Sequence, residues 1–337
     1  MGSSCFSTVS ILSGFLRRSV TAAGLSSQTA DIDGDTTVHF WGPPAVTSKP
    51  KLVLIHGFGP PSVWQWRQQI SFFAREFDVY VPDLVFFGGS FTKSSDRSEV
   101  FQAICLAKLL EKLRISRYSI VGTSYGGFVA YHMAAMWPER VEKVVIASSA
   151  VNMRRCENQE LLNRAKVDKI EDLLMPVTAK QLKTMLRFVV YRRSYMPDFF
   201  LNDFIDKLYS ENRKEKLELL KELTIGQDDT VNISPLSQPI NLDFNMKLQL
   251  QKVGESKFEF QIIIIIINQL ISKLTKQVAK QNLYQSVNSR STEVLIVWGE
   301  HDQIFLLEKA MELKNLRRVP PLRSIYAPTA TVPSLRD

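Results

Sequence analysis

The chain is poor in cysteine and histidine, and each shortage excludes something. Only three cysteines occur in 337 residues, Cys5, Cys105 and Cys156, widely separated and without a C-x-x-C pair. Such a set supplies neither a disulfide framework nor a zinc-ligand pattern, and it fits a reducing compartment, cytoplasm or organelle, better than a secretory one. The four histidines stand at 39, 56, 132 and 301, so residues 302–337 have none. No acid precedes Asp31, and no apolar run approaches the ~20 residues of a membrane-spanning helix.

What is present is ordinary for a globular chain: 45% hydrophobic and 23% charged residues. The net charge of +8 is compatible with anionic surfaces. No RNA- or DNA-binding signature accompanies it, so the expectation is a basic solvated surface and no nucleic-acid partner. Residues 1–35 read as a disordered or targeting N-terminus. They are serine-rich and carry Arg17-Arg18, closer to an organelle transit peptide than to a secretory signal because Ser13 and Gly14 break the apolar stretch. Phe6 stands where myristoylation of Gly2 would need Ser or Thr. Cys5 offers a palmitate site, and with it a peripheral membrane contact.

From residue 36 onward strand-like and helix-like segments alternate: TVHFW (37–41), KLVLIHGFG (51–59), a helical 64–77, DVYVPDL (78–84), an amphipathic helix over 98–115, YSIVG (118–122), a helix over 127–137 and VEKVVIASS (141–149). On the 98–115 helix the apolar side is expected near Phe101, Ile104, Leu109 and Leu113. The β-branched strands separated by helices predict an α/β fold with a mostly parallel, doubly wound sheet. Residues 150–238 hold only helical patterns, and a strand returns at TEVLIVWG (292–299). The segment 150–238 therefore reads as a helical cap inserted between strands of a core formed by 36–149 and 292–327.

Within this alternation, Gly122-Thr-Ser124-Tyr-Gly126 follows an apolar strand and precedes a small-residue helix. That context is the G-x-S-x-G nucleophile elbow, where the serine sits on a turn too sharp for bulky neighbours and the helix amides face developing negative charge. His56-Gly57-Phe58 ends an earlier strand, where a second oxyanion donor belongs, and Asp302 tips a later one, where the acid of a triad belongs. The expected assignments are Ser124 as nucleophile, Asp302 as acid, and the backbone amides of Phe58 and Tyr125 as oxyanion donors. His56 is expected to hold its loop rather than move protons.

LIHGFG, VPDLVFFGGS, VGTSYGGFVAYHMA and VLIVWGEHDQIF together resemble the α/β-hydrolase superfamily, in particular a plant group similar to monoacylglycerol lipases, epoxide hydrolases and ring-cleavage hydrolases. The resemblance runs from about residue 38 to 149 and from about 293 to 314. It implies the α/β-hydrolase fold with the cap after the sixth strand, and no metal or organic cofactor. Epoxide hydrolases and haloalkane dehalogenases carry aspartate at the elbow; serine implies an acyl-enzyme and a carboxylic ester. The loop after Asp83 lacks the proline common in the family and has Phe86 and Phe87 instead. With His56, Gly57 and the cap aromatics Phe188, Tyr191, Tyr195, Phe199 and Phe200, these two define an expected apolar pocket rim for a small acyl or ester substrate. Nothing in the sequence bears on oligomeric state.

Two segments depart from the family pattern. Residues 239–291 form an atypical insertion with six consecutive isoleucines, for which a translated intron is the preferred explanation and a true lid helix the alternative. The family's catalytic histidine should also follow Asp302 by about 25–30 residues, and none does. The expectation is thus an ester hydrolase impaired in this chain; the alternatives are a non-catalytic ligand-binding protein of the same fold and a defective gene model.

A shifted reading frame beginning at the third base of the Ala327 codon permits Ala-Asn-Ser-His-Gly-Pro-Gln, placing a histidine near position 330. Sequencing the transcript across codons 310–337 is expected to reveal that frame. A transcript in which no frame there encodes histidine removes the frameshift explanation.

Overall fold

Successive residues of one strand enter two different cores. In β3 (Lys51–Ile55), Leu52 and Leu54 join one apolar cluster and Val53 and Ile55 the other. The same alternation divides Tyr118 and Ile120 from Val121 in β6 (Tyr118–Thr123), and Val144 and Ile146 from Val145 and Ala147 in β7 (Val141–Ala147). Side chains on a strand point to opposite faces, so a strand apolar at every position must be covered on both. This is why the sequence reads as continuous apolar runs there. The computed structural model describes residues 7–189, 196–229, 236, 293–298, 302–315 and 325–326.

The remaining strands are β1 (Ser26–Asp31), β2 (Thr36–Gly42), β4 (Asp78–Pro82), β5 (Phe91–Thr92), β8 (Glu293–Trp298) and β9 (Ile325–Tyr326). Their order is β1-β2-β4-β3-β6-β7-β8-β9, with β5 beside β2. All pairs from β4 to β9 are parallel, while β1, β4 and β5 meet β2 antiparallel. This is the mostly parallel sheet expected from the sequence. Helices α4 (Glu99–Lys112) and α5 (Tyr125–Met136) contribute to one core; α2 (Ser62–Gln65) and α3 (Ile70–Phe73) contribute to the other.

Between β7 and β8 the described residues hold helices alone: α6 (Arg155–Ala165), α7 (Ile170–Leu174), α8 (Ala179–Val189), α9 (Asp198–Leu208) and α10 (Arg213–Lys221). They close on a third core that includes Leu161, Leu182, Leu201 and Leu220. Counting the two-residue β5, this cap follows the seventh strand in chain order. A last helix, α11 (Leu307–Asn315), follows β8. The insertion expected over 239–291 lies outside the described residues, as do His301, Tyr191 and Tyr195.

Three local expectations change. Residues 8–31, expected as disordered or targeting sequence, form α1 (Thr8–Ala22) and β1. Ser7 caps α1 by accepting from the Ser10 amide, Val9 and Val20 are buried, and β1 pairs with β2 along its full length. The helix expected over 64–77 is instead two single turns, α2 and α3. Trp66, Ile70, Phe73 and Phe77 keep the helical spacing of buried residues, but the turn between them follows the Gln65 side chain, which is drawn to Gly57 and Pro60. On α4 the buried side is centred on Gln102, Cys105, Leu106, Leu109 and Leu110, not on Phe101 and Ile104. Gln102 is buried because its amide pairs with both backbone groups of Val85.

α1 is fastened to the cap through one carboxylate. Asp203 of α9 accepts from the Ser7 and Thr8 hydroxyls at 3.0 Å each and from the Val9 amide at 2.9 Å. Burial works against ionisation of Asp203, but these three bonds hold its carboxyl below the usual range. A depressed carboxyl stabilises above its unfolded pKa of about 4, and that stability is lost as pH falls through the folded value. Asp203→Ala is expected to cost about 1–2 kcal/mol at pH 7, measured by urea unfolding, and less as pH drops below 4. Faster cleavage after Arg17 and Arg18 should accompany it; unchanged cleavage would mean packing alone holds α1.

Candidate active site

Ser124 occupies the junction of β6 and α5 with φ 51° and ψ −124°. A non-glycine residue there carries strain of roughly 1–3 kcal/mol, sustained only where surrounding contacts leave no alternative. Its amide donates to the Ala147 carbonyl of β7 at 3.1 Å, and its carbonyl accepts from the Gly127 amide at 2.8 Å and the Ser149 hydroxyl at 2.6 Å. The flanking glycines follow from the same closeness. A side-chain carbon on Gly122 would fall on the Gly126 carbonyl, and one on Gly126 on the carbonyls of Ile55 and His56. The spacing read from the sequence is therefore a steric requirement of this turn.

The loop after β3 leans directly on the serine: a carbon added to Gly57 would stand 3.0 Å from Ser124 Cβ. Gln65 fixes this loop, accepting from the Gly57 amide at 3.0 Å and donating to the Gly57 and Pro60 carbonyls at 2.9 and 2.7 Å. His56 completes the brace. The Leu84 amide donates to its Nε2 at 3.0 Å, so Nδ1 bears the hydrogen and donates to the Gly57 carbonyl at 2.7 Å. Burial lowers its pKa, and the ring is neutral. His56 thus has the structural part expected of it. The Phe58 and Tyr125 amides have no hydrogen-bond acceptor among the described residues, and Tyr125 opens the first turn of α5. The Phe58 ring meets those of Tyr125 at 5.7 Å and Phe87 at 5.1 Å, edge to face.

Asp302 lies past the carboxyl end of β8, two strands from Ser124. Its Oδ1 accepts from the amides of Ile304 at 3.0 Å and Phe305 at 2.9 Å, and it also bonds the Ser148 hydroxyl. Burial outweighs these bonds and pushes its carboxyl up to about 6. Ser148 and Ser149, successive residues after β7, thereby reach the acid and the nucleophile turn respectively. Sequence reading passed over this pair and Gln65. A serine pair ending a strand between the two catalytic candidates was the available signal for the first; nothing marked Gln65.

Each described histidine ring is committed elsewhere. His39 joins Asp83 through Nδ1 at 2.7 Å and the Ser27 hydroxyl through Nε2 at 2.8 Å. His132 Nε2 lies 3.7 Å from buried Glu99. His56 is occupied as above. Among the described residues, therefore, no imidazole bonds Ser124 or Asp302.

The expected aromatic rim is corrected. Phe86 and Phe87 are buried, Phe87 completely, under cap residues. Arg97 lies 4.5 Å from the Phe86 ring, the Phe86 carbonyl accepts from Asn212, and Lys216 stands 5.1 Å over Phe87. Lys216 is itself buried, which pulls its ammonium pKa down to about 8. Phe188 and Phe200 pack into the cap's own core, and Phe199 faces outward. Tyr209 is the cap residue that does reach the loop, its hydroxyl 3.0 Å from where a carbon on Gly59 would stand.

These features define a hydrolase-type fold, and sequence comparison places it: residues 50–321 match the family model of the alpha/beta hydrolase fold, and the chain belongs to that family. It is 29% identical over 187 residues to the human monoacylglycerol lipase ABHD6, covering 52% of this chain and 54% of that protein. Across the curated relatives it matches, the chain spans about a quarter to a half of their length. A membrane phospholipase A described as a bacterial virulence factor shares the fold at TM-score 0.61 and 17% identity, with 94% of this chain and 84% of that one covered. The 2-hydroxy-6-oxo-6-phenylhexa-2,4-dienoate hydrolase of Rhodococcus sp. strain RHA1 does so at 0.57 and 17%, with 90% of each covered.

A carboxyl whose folded pKa is raised stabilises the fold below its unfolded value, and that contribution is lost as pH rises through the folded value. For Asp302 the window is 3.8 to about 6. Asp302→Asn is therefore expected to gain on wild type by about 2–3 kcal/mol between pH 4 and pH 8, read as the difference in urea unfolding free energies. A difference that does not vary with pH would place an ionised Asp302 in a compensated site.

Proposed function

We propose that this chain is a serine-dependent hydrolase of carboxylic esters with an apolar acyl group. The observation that carries the reading is Ser124, held at positive φ between two obligatory glycines and against the Gly57-Phe58 loop, with the Phe58 and Tyr125 amides free of acceptors among the described residues. In the proposed reaction Ser124 Oγ attacks the ester carbonyl, and the two amides stabilise the oxyanion. The carbon–oxygen bond to the alcohol breaks, the alcohol leaves, and water releases the acid from the acyl-enzyme. The monoacylglycerol lipase resemblance favours an acylglycerol-like ester. The half-buried Phe58 ring, backed edge to face by buried Phe87 and Tyr125, lies in the loop that leans on the serine, in keeping with that class.

The histidine economy favours a second reading, a ligand-binding protein that retains the pocket. Among the described residues no imidazole bonds Ser124; without one the hydroxyl proton would pass to water, and serine is a weak nucleophile at neutral pH. Asp302, kept at the edge of neutrality by burial, then has no cation to orient.

Turnover of p-nitrophenyl hexanoate separates the two. The expected result is slow, saturable hydrolysis, abolished by Ser124→Ala and little changed by Asp302→Asn, because an acid without a histidine contributes little. Hydrolysis that survives Ser124→Ala would refute the serine mechanism. Saturable binding of the ester without turnover would establish the second reading.

A further inference from the structure

α1 buries one side and presents an apolar side to solvent. Val9 and Val20 are buried, and Ser13 takes a hydrogen bond from the Trp64 indole of α2. On the opposite side Ile11, Leu12 and Phe15 are 41%, 43% and 61% exposed. Phe199 of α9, 68% exposed, lies one helical turn before Asp203, the residue that holds the start of α1. Three large exposed apolar side chains within two turns of one surface helix mark an interaction site.

The charges around this patch indicate its occupant. Arg17 and Arg18 are exposed, have no carboxylate partner among the described residues, and Arg18 lies 5.8 Å from the Phe15 ring. α1 contains no acid, and neither does the neighbouring stretch 62–73, which adds Arg67. The acids of α9 are spoken for: Asp198 pairs with Lys183, Asp206 with Lys207 at 3.2 Å, and Asp203 holds the start of α1. The result is an apolar stripe bordered by uncompensated cations. A second copy docking there would bring like charges together. No helix among the described residues is long and apolar enough to cross a membrane.

We infer that α1 is an interfacial anchor, seating its Ile11-Leu12-Phe15 stripe in the headgroup region of an anionic lipid surface while Arg17 and Arg18 contact the lipid charges. Helices of this kind lie in the plane of the interface, and their binding combines buried apolar area with attraction to anionic lipid. α1 rests on both α9 of the cap and α2 of the core loop. Docking therefore presents that side of the molecule, where cap and core meet, to the lipid.

Sedimentation of the full chain with phosphatidylcholine vesicles, with and without about one third phosphatidylserine, tests this without reference to catalysis. Binding is expected to require phosphatidylserine and to weaken as salt is raised. The pair Arg17→Gln and Arg18→Gln should weaken it on the order of tenfold or more, and the pair Leu12→Ser and Phe15→Ser by a similar factor. Neither pair should shift the urea midpoint, since all four side chains are exposed. Absent binding, binding indifferent to phosphatidylserine, or binding as tight as wild type in either variant pair would overturn the inference. So would a dimer at working concentration that Phe15→Ser dissolves, which would assign the patch to a second copy.

Discussion

The absence of side chains at Gly122 and Gly126 is the constraint on which the site depends. Those two positions let β6 turn into α5 within one residue of contact with the carbonyls of Ile55 and His56. A methyl group at Gly122 would push α5 away from β6, and one at Gly126 would push it away from the end of β3. The Phe58 loop would then separate from Ser124, and the serine would relax from its positive φ. The position of Ser124, the loop that carries Phe58 and the packing of α5 over the sheet are thus one arrangement. This explains why the pentapeptide, together with its strand and helix, is more informative than any other part of the chain.

Polar groups in the core are used to brace rather than to react. His56 holds the Gly57 carbonyl and the Leu84 amide, His39 hydrogen-bonds buried Asp83, and His132 stands by Glu99. Burial opposes the charge of Asp83 and Glu99, yet both stay below the usual carboxyl range because hydrogen-bonding partners surround them. Asp302 has donors of its own but no charged partner among the described residues, and its pKa moves the other way. The contrast separates structural carboxylates from a site that is electrostatically incomplete.

The sheet was legible because apolar periodicity is a local property: β2 to β4 and β6 to β8 fall within a few residues of the runs that announced them. The strand-to-helix turn at Ser124 was legible as a turn because so sharp a bend admits few residue types. α1 was not. Its serines and glycine resemble disorder, and what orders it is Asp203, nearly two hundred residues away. The burial of Phe86 and Phe87 was hidden for the same reason, since the cap that covers them is assembled from a distant segment. The Ser148-Ser149 link depends on three adjacent strands, a relation that no single stretch displays.

The cap is tied to the core at several separate places. Glu99 of α4 receives the amides of Thr224 and Ile225, Arg97 pairs with Glu218 at 3.0 Å, Asn212 reaches the Phe86 carbonyl, and Arg164 reaches the Gln303 carbonyl. A rigid swing of the whole cap would break these together. At about 1 kcal/mol net for each, the open form would hold well under one per cent of molecules. Separation of cap from core would therefore occur only in rare excursions, and amide hydrogen exchange at these contacts would be correspondingly slow.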